Sequence, residues 1–243
     1  MGTIKTFALA AGMSLVAMAA SAATLDFTDL KTFTGANALS ATASGASGRI
    51  GSGAAAVVWT LSPSVRPMKY NFSTQSGAPA VLQGTDNGFD GDDKAALQAS
   101  SGLKLDGDGI GVRNDENSET QWLTLTFSKA VKITGIHVLD LFFGVGKGLG
   151  AEVAAISGDL VDSLMADQQV GVAPRQGYRF KAVDSKGFTV TSLRFDPAGM
   201  RDDSQIDFAL AAVDVVPIPL PAGGLLLLTA LGGLAVARRR KLA

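Results

Sequence analysis

Gln121-Trp122-Leu123-Thr124-Leu125-Thr126-Phe127 is the stretch that decides the fold class. Leu123, Leu125 and Phe127 share one face and Trp122, Thr124 and Thr126 the other, the period of two that marks a half-buried strand. Ser128-Lys129 reads as a turn, and Val131 to Phe143 follows as a long β-rich run. On the C-terminal side, Gly158-Asp159 divides Ala151 to Ala166 into two strands rather than one helix. Tyr178 to Ala182, Phe188 to Phe195 and Ile206 to Val216 complete the series, with Asp184-Ser185-Lys186-Gly187 as a hairpin-type turn. On the N-terminal side, Met68 to Phe72, Val57 to Leu61 (ended by Ser62-Pro63) and Leu25 to Phe27 read as strands. Residues 35 to 56 are dominated by Gly, Ala, Ser and Thr, a long loop or a pair of small-residue strands. Short strands at such spacing, separated by turn residues, predict an all-β, antiparallel β-sandwich or jelly-roll-like body.

Composition narrows the chemistry. The 243 residues include no cysteine. Disulfides, thiolate metal sites and cysteine nucleophiles are therefore excluded. All 22 acidic residues lie between residues 24 and 216, whereas five of the 21 basic residues (Lys5, Arg238, Arg239, Arg240, Lys241) lie at the two ends. The near-neutral whole chain thus contains a distinctly acidic body. Nucleic acid, which needs clustered Lys and Arg to displace counterions, is not an expected partner.

The acidic turns are the one candidate for metal chemistry. Asp86, Asp90, Asp92, Asp93, Asp106, Asp108, Asn114, Asp115 and Glu116 fall close together along the chain. Ca²⁺ takes six to eight oxygens from such carboxylates, amides and loop carbonyls. Asp86, Asp90, Asp92, Asp106 and Asp108 are the candidate ligands. The EF-hand pattern fails, because Ile110 stands where a third oxygen ligand belongs. Asp, Asn and Gly are equally the ordinary residues of tight turns, so the expectation without Ca²⁺ is no cofactor.

Other constellations point away from catalysis. His137 is the only histidine, it sits between Ile136 and Val138, and no Gly-x-Ser-x-Gly elbow accompanies it. It reads as a packed strand residue. One histidine also precludes the two-histidine zinc-hydrolase motif. Gly144 to Gly150 fails both phosphate-loop patterns, since Leu149 replaces a required glycine and Lys147 is followed by Gly148. No catalytic residues are assigned. Trp59, Trp122, Tyr70 and Tyr178 are candidates for a sugar-stacking platform, and carboxylate pairs for glycan hydrolysis.

The two ends carry addresses. Lys5, the apolar run from Phe7 to Ala20 and the small residues Ala20-Ser21-Ala22 read as a signal peptide over residues 1–23, with Ala20 and Ala22 at the positions a signal peptidase reads. Residues 217–243 read Pro217-Ile218-Pro219-Leu220-Pro221-Ala222, an apolar run to Ala237, then Arg238-Arg239-Arg240-Lys241. From Ile218 to Ala237 this run is 20 residues, the length a bilayer core requires. The basic tip should stay cytoplasmic. Both ends then agree on one orientation, with residues 24–216 outside as the ectodomain.

Pro-rich motif, apolar span and Arg-rich tip together resemble the PEP-CTERM class of sorting signals, in its VPLPA-CTERM variant, with Ile218 standing where the variant has Val. The resemblance covers about the last tenth of the chain. It implies export in a Gram-negative bacterium and recognition of the tail by an exosortase-type membrane protease. Its residues here are Pro217, Pro219, Leu220, Pro221, Ala222 and Arg238 to Arg240. Gly109-Ile110-Gly111-Val112, an Asn/Asp/Glu turn and the strand ending in Phe127 are similar to ectodomains that accompany such tails, which implies a β-sandwich. The expected function is a non-enzymatic surface or matrix protein, anchored in the inner membrane and then displayed at the cell surface or in extracellular polysaccharide. A Ca²⁺-dependent carbohydrate-binding module is the alternative, and a glycan hydrolase the third.

Overall fold

The structure, a computed structural model, describes residues 22–73, 77–84, 89, 91, 93–112, 121–143, 149–169, 177–183, 188–201 and 208–218. Its organising element is a single strand, β7, Leu123–Leu139. The first half of β7 lies between β4, Val57–Pro63, and the later part of β13, Phe188–Arg201; Thr126 faces Thr60 on one side and Ser192 on the other. The second half lies between β14, Ala209–Pro217, and a neighbour formed by β12, Arg179–Ala182, with the start of β13. β7 and β13 therefore belong to two strand groups at once.

One group continues from β4 through β3, Gly45–Ile50, to β2, Ala38–Thr42, and from β13 through β9, Leu149–Gly158, to β10, Asp162–Met165. The other continues from β14 to β6, Gly107–Val112, and β5, Met68–Phe72, with β1, Ala23–Asp26, also on β14. The groups pack face to face. The Phe27 ring meets the Trp59 indole edge-on at 5.8 Å, and the Tyr70 hydroxyl donates across to the Thr42 carbonyl at 2.8 Å. The body is thus all-β and sandwich-like. Two pairings among the described residues depart from the antiparallel pattern: the short strands β8, Phe142–Phe143, and β11, Gln168–Gln169, run parallel, and Gln83 makes a single parallel bridge to Phe72.

Alternation along β7 builds the core. Leu123, Leu125, Phe127, Val131 and Ile133 are all buried, with exposed or half-buried residues between them. The turn read at Ser128-Lys129 is not a turn. Strand geometry continues through it while the ladder passes from β4 to β14, and the Ser128 hydroxyl itself accepts the Val58 N–H at 2.9 Å. From Ile136 to Leu139 alternation ends and both faces are buried.

The second face is covered by a helix. α1, Lys31–Thr34, is a single turn, but α2, Lys94–Ser101, is a full helix where the sequence suggested only turn chemistry nearby. Leu97 of α2 packs with Leu103, Leu105 and Leu139 on Ala209, Ala211 and Ala212 of β14. Alanines there let the helix approach the sheet. The α2 terminus is set by Gly102 at φ 75°, whose N–H donates to the Gln98 carbonyl, a left-handed stop that costs glycine nothing.

Residues 35–56 resolve as small-residue strands, the hairpin β2–β3 and a short 3₁₀ turn at Gly53–Ala55. Their composition has a packing cause. Gly48 pairs with Trp59, and a Cβ on Gly48 would sit 2.7 Å from the indole ring.

Candidate functional site

β1 begins the described body beside its last strand. Ala23 pairs with Val215 and Asp26 with Ala212, so Ala22, at the expected cleavage position, lies beside the strand that ends in Pro217. Pro217 closes β14 and Ile218 follows exposed. Ala20, Pro219, Leu220, Pro221, Ala222 and Arg238 to Arg240 lie outside the described residues. Among the described residues no helix is long and apolar enough to cross a membrane; the expected span falls beyond them.

A polar chain, buried only at His137, crosses the same strands. The Thr24 hydroxyl donates to Asp214 Oδ1 at 2.6 Å. Asp214 Oδ2 lies 3.2 Å from His137 Nε2, and His137 Nδ1 lies 2.8 Å from the Tyr178 hydroxyl. A carboxylate can only accept, so His137 donates to Asp214 from Nε2; in the neutral imidazole Nδ1 then accepts from the Tyr178 hydroxyl. The His137 hydrogen bond, ahead of opposing burial, holds the Asp214 carboxyl below its ordinary range. Gly135 makes room for this chain: a Cβ there would collide with Asp214 Oδ2 and the Phe180 ring.

Tyrosine, histidine and aspartate in series have the outline of a nucleophile, a base and its orienter. The surroundings do not suit that use. His137 is buried, and neither of the two clefts described is lined by His137, Tyr178 or Asp214. The arrangement instead ties β1, β14, β7 and the segment before β12 together, as expected of a packed strand histidine.

Asp26 works in parallel at the end of β1. Its carboxylate accepts from the Thr28 N–H at 2.9 Å, the Thr28 hydroxyl at 2.6 Å and the Lys104 N–H at 2.7 Å. Burial outweighs these bonds and pushes its pKa up. Thr28 in turn fixes the approach to β6, its hydroxyl accepting from Leu105 N–H and its carbonyl from Asp106 and Gly107 N–H.

The candidate metal ligands divide. Asp86, Asp90 and Asp92 lie outside the described residues, as do Asn114, Asp115 and Glu116. Asp106 is half-buried at the bend before β6. Asp108 is not on a turn, as the sequence reading placed it, but inside β6, 1 % exposed, where its Oδ2 accepts from the Asn71 amide at 3.1 Å. Among the described residues no three histidine or carboxylate side chains group closely enough to hold a metal. Asn71 was not singled out from sequence. Its place in an alternating strand suggests an exposed polar residue, whereas the β5–β6 register shifts between Tyr70 and Phe72 and Asn71 is buried.

The sugar-platform expectation is corrected in part. Trp59 and Tyr70 are core residues. Trp122 is half-buried and the Arg194 guanidinium lies 3.8 Å from its ring centroid. Arg194 Nε is held by both oxygens of Asp196, at 2.7 and 2.9 Å. No protein-family model matches the chain, and no curated protein is similar to it.

Proposed function

We propose that this chain is an exported, non-enzymatic surface or matrix protein, sorted and processed through its C-terminal Pro-rich, apolar and Arg-rich segment. The observation that carries this reading is the antiparallel pairing of Ala23 with Val215. It brings the point where a signal peptide would be removed beside the strand that feeds Pro217. Export and anchoring would then both act on the paired strands β1 and β14. On this reading residues 24–216 form a β-sandwich of jelly-roll type, residues 217–243 supply one transmembrane helix, and an exosortase-like protease is the processing partner. The chain has no cysteine, so outside the cytosol the body would stand on its large apolar core alone.

Deleting residues 217–243 tests the anchor. The truncated protein should leave the membrane fraction and appear soluble in the periplasm or medium. Replacing Arg238, Arg239 and Arg240 by Ala should slow tail processing while export continues. An unchanged membrane and surface distribution of the truncated form would refute the reading.

A further inference from the structure

We infer that the cleft lined by the start of α1 and by β3 binds a carboxylated sugar, one uronic-acid unit of an acidic polysaccharide. The cleft has a volume of about 270 Å³. The turn into α1 contributes Asp29, Lys31 and Thr32, the approach to β3 and β3 itself contribute Asn37 and Arg49, and Trp59, 2 % exposed, lies beneath them. Backbone bonds fix both sets. The Lys31 N–H donates to Asp29 Oδ1 at 2.8 Å and the Thr32 N–H to the Asp29 carbonyl at 2.9 Å, while the Arg49 N–H donates to the Asn37 carbonyl at 2.9 Å. Gly51 also lines the cleft, at φ 77° with open space where a Cβ would stand, and adds no side chain to it.

The groups that line the cleft select the ligand. Among the described residues no hydrogen bond or ion pair reaches the side chains of Lys31, Asn37 or Arg49. An ammonium, a guanidinium and a carboxamide thus offer unused donors, for which a carboxylate is the strongest acceptor. A bare anion fits poorly, because the Asp29 carboxylate shares the cleft and repels it. A neutral sugar would leave both cations without a counter-charge. A sugar that carries a carboxylate satisfies all of them: its charge meets Arg49 and Lys31, and its hydroxyls donate to Asp29 and accept from Asn37. The volume falls near the lower end of small-molecule sites, enough for one sugar unit of a chain that continues into solvent. That a polymer of such units is the natural partner rests on the chain being exported; binding of the unit itself does not.

The full-length chain, purified in a detergent without a sugar headgroup, is the material for the test. Calorimetry measures its binding to short oligomers of galacturonate, of mannuronate and of hyaluronan, to their methyl esters, and to acetate and sulfate. At least one oligomer should bind, and its methyl ester should bind at least about tenfold more weakly, because the ester removes the charge that Lys31 and Arg49 meet. Lys31→Ala and Arg49→Ala should each weaken binding about tenfold. Both side chains are exposed, so the thermal midpoint should stay unchanged and report that the variants are folded. Asp29→Asn should weaken the oligomer while strengthening acetate, since it removes both an acceptor and a repulsion. Indifference to all three oligomers, equal binding of the methyl ester, or undiminished affinity when Lys31 and Arg49 are both replaced by Ala would each overturn the proposal. Acetate or sulfate bound as tightly as the oligomer would reduce the cleft to a plain anion site, and the sugar assignment fails. Binding is read on purified protein, so its failure leaves sorting through the tail untouched, and failure of the anchor leaves the cleft standing.

Discussion

His137 Nε2 lies 3.2 Å from Asp214 Oδ2, and through this contact the chain's one histidine joins the C-terminal end of β7 to the strand that leads out of the fold. The bond is continued on both sides, by Tyr178 at His137 Nδ1 and by Thr24 at Asp214 Oδ1. Four segments far apart in sequence are held by one connected set of polar groups. Satisfied networks of this kind stabilise; broken ones leave desolvated groups behind.

His137→Leu should therefore be costly beyond its change in packing. The Tyr178–His137 bond is lost and Asp214 keeps only Thr24 among its side-chain partners shown here. Loss of about 2–4 kcal/mol is expected, from two broken hydrogen bonds and a partly buried carboxylate. Urea unfolding of wild type and variant measures it. An equal cost in Tyr178→Phe/His137→Leu and in His137→Leu alone would show that the two residues act as one unit.

Two carboxylates give opposite pH slopes. Asp214 has a depressed folded-state pKa. It contributes stability above its unfolded value, about 3.9, and that contribution is lost as pH falls through the folded value. Asp26 has a raised folded-state pKa. The folded state then holds its proton more readily than the unfolded chain, so stability declines as pH rises from the unfolded toward the folded value. Asp214→Asn should flatten acid destabilisation below about pH 4. Asp26→Asn should remove the decline above that pH, while costing stability throughout because an amide cannot accept all three of its bonds. Stability measured from pH 2 to 7 separates the two.

Much of the fold was legible because burial imposes a period of two. Leu123, Leu125 and Phe127 announced their strand, and the break at Gly158-Asp159 divided β9 from β10 as read. Where reading failed, the determinant lay across the structure. Ser128-Lys129 resembles a turn, yet Val58 supplies a partner from 70 residues away that keeps the strand going. Gly48 looks like low complexity until Trp59 is placed over it. The Asp106 to Gly109 run has turn composition, but Thr28 and Asn71 draw it into β6. The helix α2 could have been found from Ala95, Ala96, Leu97 and Gln98 followed by Gly102, had the acidic glycine run before it not dominated the segment.

Gly48 offers a sharp packing test. Gly48→Ala places a methyl 2.7 Å from the Trp59 ring, inside contact distance. Overpacking of this kind costs about 1–3 kcal/mol. Trp59→Leu alone should also destabilise, by loss of buried aromatic area against Phe27. Combined, the two should cost less than their sum, because the smaller side chain makes room for the methyl. A double-mutant cycle in urea reads the coupling directly, and strict additivity would place the Gly48 requirement elsewhere.

The helix α2 is the remaining lever on the second strand group. Leu97 is fully buried against Leu139 and the β14 alanines, while Ala95 and Ala96 are exposed. Leu97→Ala should cost about 2–4 kcal/mol by leaving a cavity between helix and sheet. Gly102→Ala, at φ 75° with open space around its Cβ, should cost about 1 kcal/mol from backbone strain alone. The two variants separate helix docking from helix termination. Hydrogen exchange then distinguishes them spatially: Leu97→Ala should expose amides of β14 near Ala209 to Ala212 as well as those of the helix, because the helix shields that face. Gly102→Ala should speed exchange only at the end of α2. If the β14 amides stay equally protected in Leu97→Ala, the helix is a passenger on the sheet rather than part of its core.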